Sequence, residues 1–180
     1  SITESCSTFT VAAGSIKQMP MPYSVYAYAT FLRGLIVFLH HSVVFIAMAL
    51  IFHVHVTLNT LLIFPALVAL CFTVSWVSIL FGVFAARFRD IQQVVTSLLA
   101  VSMFVTPIFW KPSQLGASFK AKLIMGVNPL AHYVAIMRAP LLGQSPGLFN
   151  WEFVIVFSIL GWMFSMYILG RYYKHIAFWL

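Results

Sequence analysis

Four long apolar stretches, almost free of charged residues, decide what this chain can fold into. About 20 mainly apolar residues, rising about 1.5 Å each, cross the roughly 30 Å of hydrocarbon in a bilayer. Residues 34–52, 61–86, 91–110 and 151–170 meet that requirement. Hydrophobic residues make up 62% of the chain and charged residues 7%, too little charge to cover the surface of a soluble domain. Lipid must therefore solvate much of it. Helices are the expected form, because each backbone N–H and C=O must be satisfied inside its own segment where water is absent. A barrel requires short alternating strands, and these runs do not alternate. The reading is an all-α integral membrane domain over residues 1–180, with about four transmembrane helices. Pro65 lies near one end of the second stretch and predicts tilt or a kink there.

Bases orient the spans. With the turn Ala86-Arg87-Phe88-Arg89-Asp90 in the cytoplasm, Lys17, Arg33, Arg171 and Lys174 are also inside, while Lys111, Lys120, Lys122 and Arg138 are outside. That is six bases inside against four outside, a modest positive-inside bias. An even number of spans then leaves both ends in the cytoplasm. Between the last two spans, Pro112, Pro129, Pro140 and Pro146 prevent a single crossing helix, yet 123–142 is too apolar for a free loop. Short helices over 111–150 that dip back into the outer leaflet reconcile the two facts. The segment Gly14-Ser-Ile-Lys-Gln-Met-Pro-Met-Pro22 reads as a short amphipathic element ended by prolines. The chain opens on Ser1 with no basic region leading into an apolar core and cleavage site, which predicts a fragment lacking upstream spans.

Little acid–base chemistry is available. The acids are Glu4, Asp90 and Glu152, and no two share an expected helix, so a carboxylate couple or proton relay lacks material. No Gly-x-x-x-x-Gly-Lys-Ser/Thr loop is present to cradle a nucleotide phosphate, so any dependence on ATP has to come from a partner. His40 and His41 fall within the first span, but neighbours on a helix point about 100° apart and do not chelate one ion together. Hydrogen bonding to a neighbouring helix or contact with a wet cavity is the plainer role for them. Cys6 and Cys71 lack the spacing of a metal site, and neither disulfide nor metal is expected. The net charge of +7 fits membrane topology better than nucleic acid, because the bases form no dense patch.

The third span carries a pattern of its own. Gln93, Thr96, Ser97, Ala100, Phe104, Pro107 and Lys111 follow helical spacing along one face, with Leu98, Leu99, Val105 and Phe109 on the other. A polar, small and aromatic face suits a helix lining a wet translocation path. The same residue types also pack helices together in membranes. Two further stripes, Cys71, Ser75, Ser78 and Gly82, and Ser158, Gly161 and Ser165, are read as packing faces. Among the many aromatics, Trp110, Trp151 and Trp179 suit headgroup anchors. Phe104, Phe109, Trp110 and Tyr133, near the outer mouth, are candidates to stack on sugar rings.

At this point several motifs resemble those of ABC-2 type permeases. Gly14 to Pro22 is similar to their Leu-Ile-Lys-x-x-x-Phe-Pro region, though Met19 and Met21 stand where Val or Phe is frequent. Phe81-Gly-Val-Phe-Ala-Ala-Arg-Phe-Arg-Asp-Ile91 resembles their cytoplasmic turn. Val105 to Pro112, Asn128 to His132 and Arg138 to Gly143 resemble their outer region, and Tyr172 to Leu180 their ending. The likeness is greatest to permeases exporting O-antigen, capsule or teichoic-acid polysaccharide. It implies a non-enzymatic transport subunit of the bacterial inner membrane, a homodimer of six-span subunits bound to two ATPase subunits. Those partners would hold ATP and Mg and drive a lipid-linked polysaccharide across, while this chain binds no cofactor. It further implies that Ser15, Ile16, Lys17 and Gln18 form a coupling helix against the ATPase, with Arg87, Arg89 and Asp90 nearby. Residues 91–110 would be the family's channel-lining fifth span, consistent with the face of Gln93, Thr96, Ser97, Ala100 and Phe104. Other readings are an ABC-2 permease for a drug, lipid or haem-like substrate, a membrane-embedded transferase, and a non-transport assembly subunit.

Overall fold

A computed structural model describes residues 2–18, 22–52, 57–106 and 126–179, without the side chains of Lys17 and Ala177. The described residues form helices: α1 (Ile2–Val11), α2 (Ala13–Gln18), α3 (Tyr23–Ile51), a 3-10 turn (Leu58–Leu62), α4 (Ile63–Arg87), α5 (Ile91–Val105), α6 (Pro129–Leu141) and α7 (Leu148–Trp179). Three stretches among them are long and apolar enough to cross a membrane: Tyr23–Ile51, Leu58–Arg87 and Leu148–Ile176.

The boundaries differ from those read off hydropathy, and each difference has a local cause. The first span starts at Tyr23 rather than residue 34. Pro22, with φ −57° and ψ 134°, holds the chain extended just before the helix, and nothing from Tyr23 to Arg33 breaks it. Arg33 stays exposed, and a long basic side chain can carry its charge away from apolar surroundings. The second span opens as a 3-10 turn and becomes α-helical at Ile63. Pro65 thus falls in the first α-helical turn, where an N–H would have no partner within the α-helix. The third expected span is described only over the 15 residues of α5, roughly 22 Å of rise, and residues 107–110 lie outside the described set. Of the expected outer-leaflet helices, α6 is described and 111–125 lie outside.

The chain packs as two compact units. The first comprises Ser1–His53, Cys71–Thr96 and Leu160–Leu180. Its core is Phe9, Tyr23, Val83, Ala86 and Ile176. Phe9 sits against Gly82, where an added Cβ would come within 2.9 Å of the ring. Polar pairs tie α1 to its neighbours: the Ser5 hydroxyl meets Ser78 Oγ at 2.9 Å, and the Thr8 hydroxyl donates to Thr30 Oγ1 at 2.9 Å. Ser78 Oγ also lies 2.8 Å from the Val74 carbonyl, which accepts its proton.

Further along this unit, α4 and α7 interlock. The Trp76 indole lies over Gly161 so closely that a Cβ there would overlap the ring. One turn on, the Ser165 hydroxyl donates to the Trp76 carbonyl at 3.1 Å. On the other side, the Trp162 indole N–H donates to the Phe72 carbonyl at 2.9 Å. Both small-residue stripes therefore lie at helix contacts, where the missing side chain lets a large ring in.

The second unit comprises Val54–Leu70 and Ser97–Ile159. Ala66, Tyr133, Ile136 and Val154 form its core. Asn128 caps α6 from a β-region conformation: its Oδ1 accepts from the Leu130 N–H at 3.0 Å, and Pro129 occupies the first helical position. The same amide donates to the buried Thr106 hydroxyl oxygen at 3.0 Å, tying α6 to the end of α5. At the other end Gly143 takes φ +73°, and bonds from Gly143 N–H to the Pro140 carbonyl and from Gln144 N–H to the Ala139 carbonyl complete a Schellman motif. The Gly143 carbonyl in turn accepts the Asn59 amide at 3.0 Å, so the 3-10 turn is moored to the end of α6.

Two stability measurements follow from this packing. Gly161→Ala forces the Trp76 indole aside, an overpacking cost of about 1–3 kcal/mol, and lowers the thermal midpoint in detergent. Gly170→Ala, whose added Cβ meets nothing within 4 Å, leaves the midpoint unchanged or raises it. Asn128→Ala removes a cap worth about 1–2 kcal/mol and lowers hydrogen-exchange protection at the start of α6, whereas Asn128→Ser restores most of it.

Candidate functional site

The first unit gathers the residues expected to face an ATPase. α2 carries Ser15, Ile16, Lys17 and Gln18; Ser15 and Gln18 are exposed, and the Lys17 side chain lies outside the described set. Ile16 turns inward and packs on the cluster of Phe9, Tyr23, Val83, Ala86 and Ile176. That contact anchors the short helix, which at six residues has too few hydrogen bonds to hold itself together.

Arg87 ends α4, and its guanidinium lies 5.2 Å from the ring centroids of both Phe88 and Trp179. Cation–π attraction thus joins the end of α4 to the end of α7. Trp179 itself stacks on His175 and meets Tyr172 at a tilt of 45°, so the arginine rests on a preassembled aromatic group. Arg89 and Asp90 are exposed in the turn that follows. The Asp90 carbonyl accepts the N–H groups of Gln93 and Val94 at 3.1 Å, which puts Asp90 at the N-cap of α5, where a negative side chain is favoured. A cleft of about 340 Å³ opens here, lined by Thr10, Ala13, Ala86, Arg89, Gln92 and Trp179 among others. It offers a guanidinium, an amide and an indole beside small apolar side chains.

α5 shows a clear division. Its packed seam is Ile91, Val95, Leu99, Ser102 and Thr106, at helical spacing. Gln93, Thr96, Ser97, Ala100 and Phe104 fall on the opposite side and are all exposed, Phe104 by 77%. Thr96 spends its hydroxyl on the Gln92 carbonyl at 2.8 Å, leaving oxygen lone pairs toward the outside. Val94, Leu98 and Val101 are exposed as well, so the uncovered surface is broader than the polar stripe.

The outer candidates fare differently. Phe109 and Trp110 lie outside the described residues. Tyr133 is 7% exposed, and its hydroxyl is 3.0 Å from Ser158 Oγ. Packed within the second unit's core, its ring has no face open for a sugar.

Sequence reading missed His132. The ring is buried and stacked on Phe153 at 4.0 Å, with Phe149 edge-on at 5.5 Å. Nε2 lies 3.1 Å from the Gly126 carbonyl and Nδ1 2.7 Å from the Asn150 side chain. Two arrangements satisfy both nitrogens: an imidazolium that donates twice, or a neutral ring that donates to Gly126 and accepts from the Asn150 amide turned over. Phe149 and Phe153 are four residues apart on α7, a spacing visible in sequence, but nothing local links them to residue 132. His40 and His41 are exposed on α3, their ring planes 84° apart. Among the described residues no three His, Cys, Asp or Glu side chains converge on a possible metal position.

A family model described as ABC-2 type transporter matches residues 10–142, nearly three-quarters of the chain. A search of curated proteins finds no match. The matched region takes in α2, α3, α4, α5 and α6, and among them are helices long and apolar enough to cross a membrane. This chain belongs to the ABC-2 type transporter family, as a membrane-spanning permease whose membership implies an ABC ATPase as partner.

Proposed function

We propose that the chain is the permease subunit of an exporter moving lipid-linked polysaccharide across a bacterial inner membrane. It works as a homodimer with a separate ATPase that binds ATP and Mg. The observation that carries this reading is the face of α5: Gln93, Thr96, Ser97, Ala100 and Phe104 lie opposite the packed seam and are exposed. Polar and small side chains there would accompany a hydroxyl-rich chain, and the Phe104 ring offers a sugar an apolar face to stack on. A second copy facing this surface would close a wet path between two such helices.

Movement would enter from the other end. A partner pushing on α2 moves Ile16 against Ala86 and Val83, and a push on Arg89 or Asp90 bears on the start of α5. The Arg87–Trp179 contact carries the same displacement into α7. The burial of Tyr133 favours a second reading, an ABC-2 permease for a lipid or drug, because it removes one aromatic ring from the glycan-stacking set.

Surface glycan in cells, measured with membrane insertion as control, separates these. Phe104→Ala removes a stack worth about 1 kcal/mol and slows export roughly fivefold with insertion unchanged. Normal export by that variant removes the lumen role of α5. Arg87→Ala with Arg89→Ala reduces the amount of ATPase that co-purifies; undiminished recovery and export exclude the turn as a coupling element.

A further inference from the structure

The last turns of α7 carry a surface that transport does not explain. The helix runs 32 residues, roughly 48 Å of rise, well beyond the roughly 30 Å of a hydrocarbon core. Its excess length is where the bases are. Arg171, Lys174 and His175 are spaced i, i+3, i+4, so they share one face, and all three are exposed. No acid occurs anywhere from residue 153 to the end of the chain to neutralise them.

The same face continues below the bases as an exposed apolar strip. Leu160, Phe164 and Tyr167 precede Arg171 at steps of four, three and four, and are 59%, 50% and 61% exposed. Buried Ser165 and Ile176 occupy the packed side. Beside the bases, Gly170 leaves a notch, and an open hollow of about 610 Å³ is lined by Met166, Leu169, Gly170, Arg171, Tyr173, Lys174 and His175. The edge-on pair of Tyr23 and Tyr173, centroids 4.8 Å apart, fixes one wall. Arg171 thus continues the line of the apolar strip, with Lys174 and His175 on either side of it.

We propose that this surface binds an anionic phospholipid, its phosphate held by Arg171, Lys174 and His175 and an acyl chain laid along Leu160, Phe164 and Tyr167. A zwitterionic lipid brings its own cation to a site that already has three potential ones, so headgroup charge decides occupancy. The site lies on the helix face turned away from the core and is independent of which substrate the transporter moves.

The test uses the full chain purified from membranes, exchanged into vesicles of phosphatidylcholine and phosphatidylglycerol, extracted, and examined by native mass spectrometry for retained lipid. The wild type keeps phosphatidylglycerol in preference to phosphatidylcholine. Lys174→Gln and Arg171→Gln each cut that preference about fivefold, the equivalent of roughly 1 kcal/mol per base at an anionic surface. Arg171→Lys with Lys174→Arg keeps it, and Arg138→Gln, on α6, leaves it unchanged. Equal retention of both lipids by the wild type overturns the proposal, as does full preference in the Lys174→Gln and Arg171→Gln variants. Displacement of the lipid by inorganic phosphate at equal concentration overturns the part assigned to the apolar strip.

Discussion

The Trp76 indole resting on Gly161 sets the geometry from which the rest of the first unit follows. Between apolar helices in lipid there is no hydrophobic gain from association, so close fit and hydrogen bonding must hold them. Here a large ring enters the gap left by a glycine, and the Ser165 and Trp162 bonds to α4 carbonyls lock the approach on either side. α4 is accordingly the inner helix. Half of its apolar window is buried within the chain, against 6% for α3 and 17% for α7, which leaves those two for lipid or partners.

From that fixed helix the neighbouring helix ends are positioned by short-range devices. Arg87 closes α4 onto Trp179, and Asp90 starts α5 three residues later. Only the three residues Phe88, Arg89 and Asp90 separate the two helices. In the second unit, Asn128 and Gly143 serve α6 in the same way, each capping the helix while holding a second element. Function in such a chain rests on placement rather than on reactive groups.

Much of the fold was legible because lipid imposes a simple rule: where charge is missing for about 20 residues, a helix can cross. That rule located α3, α4 and α7, and the resemblance carried by residues 14–22 and 81–91 agrees with the family match. Span edges were less legible. Tyr23, Tyr26 and Tyr28 lower apparent hydropathy without interrupting a helix, and only Pro22 marks where α3 begins. On α5, helical spacing set Leu99 apart from the face of Gln93, Thr96, Ser97, Ala100 and Phe104, but Leu98 and Val105, read with Leu99, are exposed, because the packed seam also takes in Ile91, Val95, Ser102 and Thr106. Tyr133 and His132 were opaque for the opposite reason. Their surroundings come from Ser158, Asn150 and Phe153, distant in sequence, so no local pattern distinguishes a ring at a pore mouth from a ring in a core.

The most direct measurement is to solubilise the native protein in mild detergent, capture it, identify what accompanies it by mass spectrometry, and assay ATP hydrolysis with and without a lipid-linked glycan. An ABC-type ATPase in the captured material, with hydrolysis that rises when the glycan is added, is the result expected of a polysaccharide-exporting permease. Capture of the chain without an ATPase, or hydrolysis indifferent to the glycan, contradicts that account.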